Sequence, residues 1–192
     1  MDKLVEIRWH GRAGQGLVTA AKLLGETALG TGQYFQAFPD YGPERMGAPI
    51  RAYTRLSSEP IRIHSQIETP DVVLVLDPTL IGLVDVVEGL QDGGIVIVNT
   101  NKPPQEVRKQ LGLEGRNVRV FTVDATGIAI QTMGRDITNT PMLGAFARAT
   151  GLFPLESIVA DVRRNFSKKL RQEIVEANIK AIEMAYQSVQ EG

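Results

Sequence analysis

Three glycines in the run WHGRAGQGLVT, residues 9–19, mark where this chain has the residue types and spacing to do chemistry. Gly11, Gly14 and Gly16 follow an alternating stretch, Leu4-Val5-Glu6-Ile7-Arg8-Trp9, and precede a helical pattern that begins near Leu17. The spacing predicts a strand over residues 3–9, a glycine turn over 10–16 and a helix over 17–30. Residues without a Cβ can take left-handed backbone angles and let a ligand approach closely. A helix start behind such a turn offers unpaired N–H groups and the positive end of a dipole, which suits a phosphate-bearing ligand. Arg12 and Gln15 are the side-chain donors within the turn. The competing reading is a tight turn whose glycines only let the helix pack close on its strand.

The spacing also excludes. G-x-x-G-x-G is not the dinucleotide fingerprint G-x-G-x-x-G. The interval from Gly11 to Gly16 does fit a phosphate loop, but Leu17-Val18-Thr19 stands where Lys and then Ser or Thr are needed. No point charge is then available for β and γ phosphates, so a stand-alone nucleotide-binding enzyme is disfavoured. A second unusual stretch, DYGPERMGAP over residues 40–49, holds two prolines and two glycines and cannot be regular helix or strand. Within it Tyr41, Gly42, Pro43, Glu44 and Arg45 combine an aromatic face, a carboxylate and a guanidinium fork, suited to recognising a partner or ligand. As a plain surface crossover its charges would simply be solvated.

The chain has no cysteine, so it can form no disulfide, thiolate nucleophile or cysteine-held iron–sulfur cluster. Its histidines are His10 and His64, and no H-E-x-x-H spacing is present, so neither a catalytic residue nor a metal site is assigned. His10 abuts the glycine turn without an identifiable partner carboxylate, and His64 reads as a surface residue. A formal net charge of -1 points to neither nucleic acid nor an anionic membrane. No apolar run is long enough to span a bilayer and no signal-peptide core is seen, which leads to the expectation of a cytoplasmic protein.

The elements that must position these residues follow in order. A strand over 34–38 runs into Pro39. Alternation over 50–56 and 61–64 around Ser57-Ser58-Glu59-Pro60 predicts a β-hairpin, with Arg51, Arg55 and Arg62 on one polar side. Residues 71–76, DVVLVL, read as a strand buried on both faces. Asp77 either caps a helix over 79–90 that Pro78 begins or contacts a ligand at the strand's carboxyl end. A strand over 95–98 ends at Asn99 and Thr100, secondary site candidates. Further on come a short helix to Leu111, a strand over 118–123, and a helix over 125–134 capped by Asp124. Helices over 142–149, 154–164 and 168–190 complete the chain. Arg163, Arg164, Lys168, Lys169 and Arg171 form a basic cluster, either a solvated corner or a surface for phosphate or an acidic partner. The order implies one α/β domain over residues 1–192, a three-layer sandwich with a mixed, mainly parallel sheet containing an antiparallel hairpin.

Four segments, E-I-R-W-H-G-R-A-G-Q-G, F-P-D-Y-G-P-E-R-M-G-A-P, D-V-V-L-V-L-D-P and N-T-P-M-L-G-A-F, together resemble the gamma subunit of pyruvate:ferredoxin oxidoreductase, in the same order and over nearly the whole chain. The family usually has a second Gly at Ala13 and a basic or similar residue at Met46. The resemblance implies an assembled enzyme that converts a 2-oxoacid and coenzyme A to acyl-CoA and carbon dioxide and reduces ferredoxin. It places thiamine diphosphate and iron–sulfur clusters on partner subunits, a thiamine-binding chain and a ferredoxin-like chain. Coenzyme A is then a shared substrate, received at Gly11, Arg12, Gly14, Gln15 and Gly16. Tyr41, Gly42, Pro43, Glu44 and Arg45 match the family's second motif and would dock on the thiamine-binding subunits and close the site. The thiamine motif G-D-G is absent here, since Gln91-Asp92-Gly93 lacks its first Gly. This chain alone should therefore be inactive. A purely structural subunit, or a gamma subunit for another 2-oxoacid, remain the alternatives.

Overall fold

Val72, Leu74 and Leu76 point to one side of their strand and Val73 and Val75 to the other, and all five are buried. Such a strand has to lie between two layers. A computed structural model describes residues 4–40 and 45–192. The elements are β1 (Val5–Arg12), α1 (Leu17–Gly30), β2 (Tyr34–Asp40), β3 (Pro49–Ser57), β4 (Val72–Val75), a 3-10 turn (Pro78–Leu80), β5 (Ile95–Asn99), α2 (Pro104–Gln110), β6 (Arg119–Val123), α3 (Ala125–Met133), α4 (Asn139–Thr150), α5 (Leu155–Phe166), α6 (Gln172–Ser188) and β7 (Gln190–Glu191).

The strands form one sheet in the order β2-β3-β1-β4-β5-β6-β7. Its centre, β1-β4-β5-β6, is parallel, and both margins, β2-β3-β1 and β6-β7, are antiparallel. On one face Ile7, Trp9, Leu74, Ile97 and Phe121 meet α1, α4, α5 and α6 in the larger core. On the other, Val73, Val75, Val96, Val98 and Val120 are covered by Val107 of α2 and by Leu80, Val86 and Leu90 from the segment after β4. This is the three-layer α/β sandwich with a mixed sheet that the element order implies.

Four local expectations are corrected. The antiparallel partner of β3 is not residues 61–64 but β2, with Phe35 opposite Leu56 and Asp40 opposite Arg51. A strand has two hydrogen-bonding edges, and β1 and β2 occupy both edges of β3. Residues 61–64 have no buried side, so their alternation marks no sheet face. Arg55, expected on a polar side with Arg62, is instead buried against Glu6. Residues 79–90 form the 3-10 turn and further turns rather than a helix, with Gly82 and Gly89 at positive φ. The last helix begins at Gln172, four residues later than expected. The β2 strand also runs through Pro39 to Asp40, which an edge strand tolerates because one side of it needs no N–H.

α4 and α6 pack at a helix crossing where Gly144 meets the Ile182 backbone, and an added Cβ would overlap that carbonyl oxygen. Gly144→Ala gains helix propensity but forces the two helices apart. Its expected cost is about 1–3 kcal/mol, read as a lower unfolding midpoint. An unchanged midpoint would contradict this packing.

Candidate functional site

α1 carries the chain from β1 across the helical face, whereas the segment after β4 crosses the opposite face. Since β1 and β4 are parallel neighbours, their carboxyl ends border a crevice where the connections diverge. Open α/β sheets bind ligands at such a switch point. The glycine turn, the end of β4 and the 3-10 turn converge here.

β1 continues further than its alternation suggests and contains Gly11 and Arg12. Gly11 is therefore a strand residue without positive φ. Its missing Cβ leaves room for Leu17 Cδ1 and Gln15 Oε1, which an added Cβ would approach to 3.0 and 3.1 Å. Gly14 and Gly16 do the turning, at φ 100° and 74°. A Cβ on Gly14 would meet Met46 Sδ at 2.9 Å, and one on Gly16 would meet Asn139 Nδ2 at 2.6 Å. Gly16 is the N-cap of α1, and no side chain caps that helix.

Arg12 and Gln15 are brought together on Asp77. Arg12 Nε donates to Asp77 Oδ2 at 3.1 Å, and Gln15 Nε2 donates to the same oxygen at 2.9 Å. Arg12 also donates from Nη2 to Thr79 Oγ1 and from Nη1 to the Gly47 carbonyl. Gln15 Oε1 accepts from the Arg12 N–H, which closes the turn on itself. Asp77 Oδ1 meanwhile accepts from the Thr79 N–H and hydroxyl, capping the 3-10 turn. Burial pushes the Asp77 carboxyl up, but the bonds from Thr79 and Gln15 and the Arg12 charge outweigh it and hold the group below the usual carboxylate range. Asp77 is thus both the expected cap and the anchor of the turn.

The turn at 45–48 lies alongside. Ala13 N–H donates to the Ala48 carbonyl, and Gly47 N–H donates to the Ala13 carbonyl. Arg45 and Met46 are exposed beside the glycines. Tyr41, Gly42, Pro43 and Glu44 lie outside the described residues. Asn99 is occupied structurally: it donates to the Leu76 carbonyl and Thr126 Oγ1 and accepts from the Thr126 N–H, fastening β4 to β5 and α3. Thr100 Oγ1 accepts from the Lys102 N–H. His64 is exposed, as expected.

His10 is buried on the face opposite α1, at the wall of a cleft of about 520 Å³ that Asp40, Arg51, Leu80, Asp85 and Glu88 also line. Its Nε2 accepts from Arg8 Nε at 3.1 Å, and its ring also bonds the Val86 backbone. Burial, then the charges of Arg8 and Arg51, bring its pKa down to about 3. With its Nε2 lone pair occupied by Arg8 and its basicity lowered by burial, His10 is poorly suited to general-base work. Among the described residues no three His, Asp or Glu side chains cluster to hold a metal, and no helix is long and apolar enough to cross a membrane.

The family described as pyruvate ferredoxin/flavodoxin oxidoreductase matches residues 6–188. Over 187 residues the chain is 50% identical to the pyruvate synthase subunit PorC of Thermotoga maritima, covering 97% of this chain and 95% of that one. It is 52% identical over 183 residues to the pyruvate/ketoisovalerate oxidoreductases common subunit gamma of Thermococcus kodakarensis, covering 95% and 96%. Among solved structures it superposes on the pyruvate oxidoreductase subunit PORC of Thermotoga maritima with a TM-score of 0.86 and 45% identity, covering 100% of this chain and 99% of that one.

A histidine kept neutral by burial makes stability depend on acid. Between pH 6.5 and about 3 the unfolded chain binds a proton at His10 that the folded chain does not, so stability falls as pH falls through this window. The expected slope is about 1.4 kcal/mol per pH unit, and Asp77 adds its own loss only below its unfolded value of 3.8. Denaturant melts at pH 6.5, 5.5 and 4.5 read it. His10→Gln should flatten the profile whatever its stability at pH 7, and an equal slope in that variant would contradict the assignment.

Proposed function

Because this chain belongs to the pyruvate ferredoxin/flavodoxin oxidoreductase family, we propose that it is the gamma subunit of a multi-subunit enzyme that converts pyruvate, coenzyme A and oxidised ferredoxin to acetyl-CoA, carbon dioxide and reduced ferredoxin. The observation that carries this is identity at about half of the positions, along nearly the whole chain, to proteins named as subunits of pyruvate synthase. The chain's own residues do not fit the redox groups of such an enzyme. It has no cysteine for an iron–sulfur cluster and no thiamine motif, so those cofactors belong to its thiamine-binding and ferredoxin-like companions.

What this chain supplies is shape and hydrogen bonding. The uncapped start of α1 behind Gly14 and Gly16 offers backbone N–H groups to the phosphates of coenzyme A. Arg12 has five N–H donors, of which Asp77, Thr79 and Gly47 engage three, leaving two for a phosphate oxygen. Gln15 similarly keeps one amide hydrogen. The segment with Tyr41, Gly42, Pro43, Glu44 and Arg45 docks on the thiamine-binding subunit and excludes water from the reacting substrate. A second reading is favoured by the packing of Leu17 and Asn139 into the spaces at Gly11 and Gly16, namely that the turn is structural only.

Two variants of the assembled complex separate these readings. Arg45 is exposed, so Arg45→Ala leaves the fold intact, and Gly14→Val puts a branched side chain at φ 100°. On the first reading Gly14→Val, by distorting the turn that presents Arg12 and Gln15, raises the KM for coenzyme A by about tenfold, the size of one lost charge-assisted hydrogen bond, and leaves the KM for pyruvate unchanged, while Arg45→Ala weakens assembly. Normal assembly with unchanged kinetics would remove coenzyme A from this turn.

A further inference from the structure

The basic run at Arg163, Arg164, Lys168, Lys169 and Arg171 is not absorbed by the glycine turn or by 2-oxoacid chemistry. The structure sorts its members. Arg163 pairs with Glu176 and Arg164 with Asp161, so both are answered within α5 and α6. Lys168, Lys169 and Arg171 are exposed and make no ion pair among the described residues, with Glu173 the acidic residue next to them in the chain.

Their position is unfavourable for this chain on its own. Arg171 is the N-cap of α6, makes no side-chain cap bond there, and follows the two lysines after Leu170. Cations at this end oppose the helix dipole, and such a helix start favours an anion. Apolar surface lies among the charges: Leu170 and Ile174 are 40% and 44% exposed. A groove of about 460 Å³ alongside, lined by Leu155, Val159 and Ala160 together with Glu156, Glu183, Arg163 and Arg164, reaches Ser167, next to Lys168. Apolar side chains set among mainly basic ones have the composition of a protein interface, with a dry centre and a rim that fixes register. A phosphate backbone would answer the cations and leave Leu170 and Ile174 wet. Since the whole chain carries a net charge of -1, the positive surplus is local.

We infer that the face formed by Lys168, Lys169, Leu170, Arg171 and Ile174 is the docking site for an acidic surface on a companion subunit of the same complex. The inference rests on the gamma-subunit reading and adds to it a second contact surface, on the helical layer.

The test uses the full chain and its co-produced companion subunits, with association measured by sedimentation velocity over a sodium chloride series. Wild-type association should weaken as salt rises. The K168E/K169E/R171E variant should associate at least about tenfold more weakly at low salt, with a flatter salt dependence. L170S/I174S should weaken association while keeping the wild-type salt dependence. Because acidic residues suit a helix start, the charge-reversed chain should unfold no earlier than wild type, which separates lost docking from lost folding. Wild-type affinity and salt dependence in the charge-reversed variant would overturn the assignment. So would a variant that assembles normally and loses only binding to duplex DNA or to anionic vesicles. A wild-type chain that never joins its companions would instead sink the gamma-subunit reading itself.

Discussion

A single carboxylate at the end of β4 holds the turn at the end of β1. Asp77 receives Arg12 and Gln15 on one oxygen and Thr79 on the other, so the loops that follow two adjacent strands are fixed to one point. Glycine turns without such an anchor can adopt many shapes, because the residues that permit left-handed angles also permit most others. Here Gly14 and Gly16 supply the freedom, and the bonds to Asp77 remove it. The start of α1 thereby stands beside the switch point with no side chain capping its N–H groups, an arrangement that suits an anionic ligand.

The same economy governs the sheet face opposite the helices. Over β2, β3 and β1 that face carries Gln36, Asp40, Arg51, Tyr53, Arg55, Glu6, Arg8 and His10, with Phe38 as the apolar residue among them. Burying such groups is costly unless each finds partners. Arg55 bonds Glu6, Gln36 and the Gln66 carbonyl, and Arg8 bonds His10 and the carbonyls of Val86 and Glu88. Gln66 in turn donates to Asp40. Irregular chain is therefore held at Gln66, Val86 and Glu88 by arginines reaching its carbonyl groups, where helix or strand would have used its own backbone. Neutral His10 belongs to this network as an acceptor for Arg8.

That network also explains which parts of the architecture were legible in the sequence. Buried strands announced themselves through continuous valine and leucine, as in residues 71–76, and caps through Asp77 and Asp124. The region after β4 misled because Asp77 and Pro78 read as a helix start, yet Gly82 and Gly89 break the helix and Arg8 satisfies carbonyls left over. The hairpin misled because alternation at 61–64 has no buried side. Of the candidate site, the glycines, Arg12 and Gln15 were visible as donors, whereas their convergence on Asp77 was not, since sixty-odd residues separate them and only the β1–β4 pairing brings them together. Asn139, which fills the space beside Gly16, was legible only as part of the N-T-P-M-L-G-A-F segment, because a polar residue at a helix start otherwise reads as an ordinary cap.

On the proposed reading, a polypeptide with this turn, no cysteine and no thiamine motif presents a surface to a substrate whose chemistry takes place on other chains. The most direct test is to purify the chain alone and assay pyruvate- and coenzyme A-dependent reduction of a viologen dye, before and after adding the companion subunits. No reduction by the lone chain, and reduction once it is combined with its companions, is the expected result. Dye reduction by the chain by itself, or by the companions at full rate without it, would contradict the account.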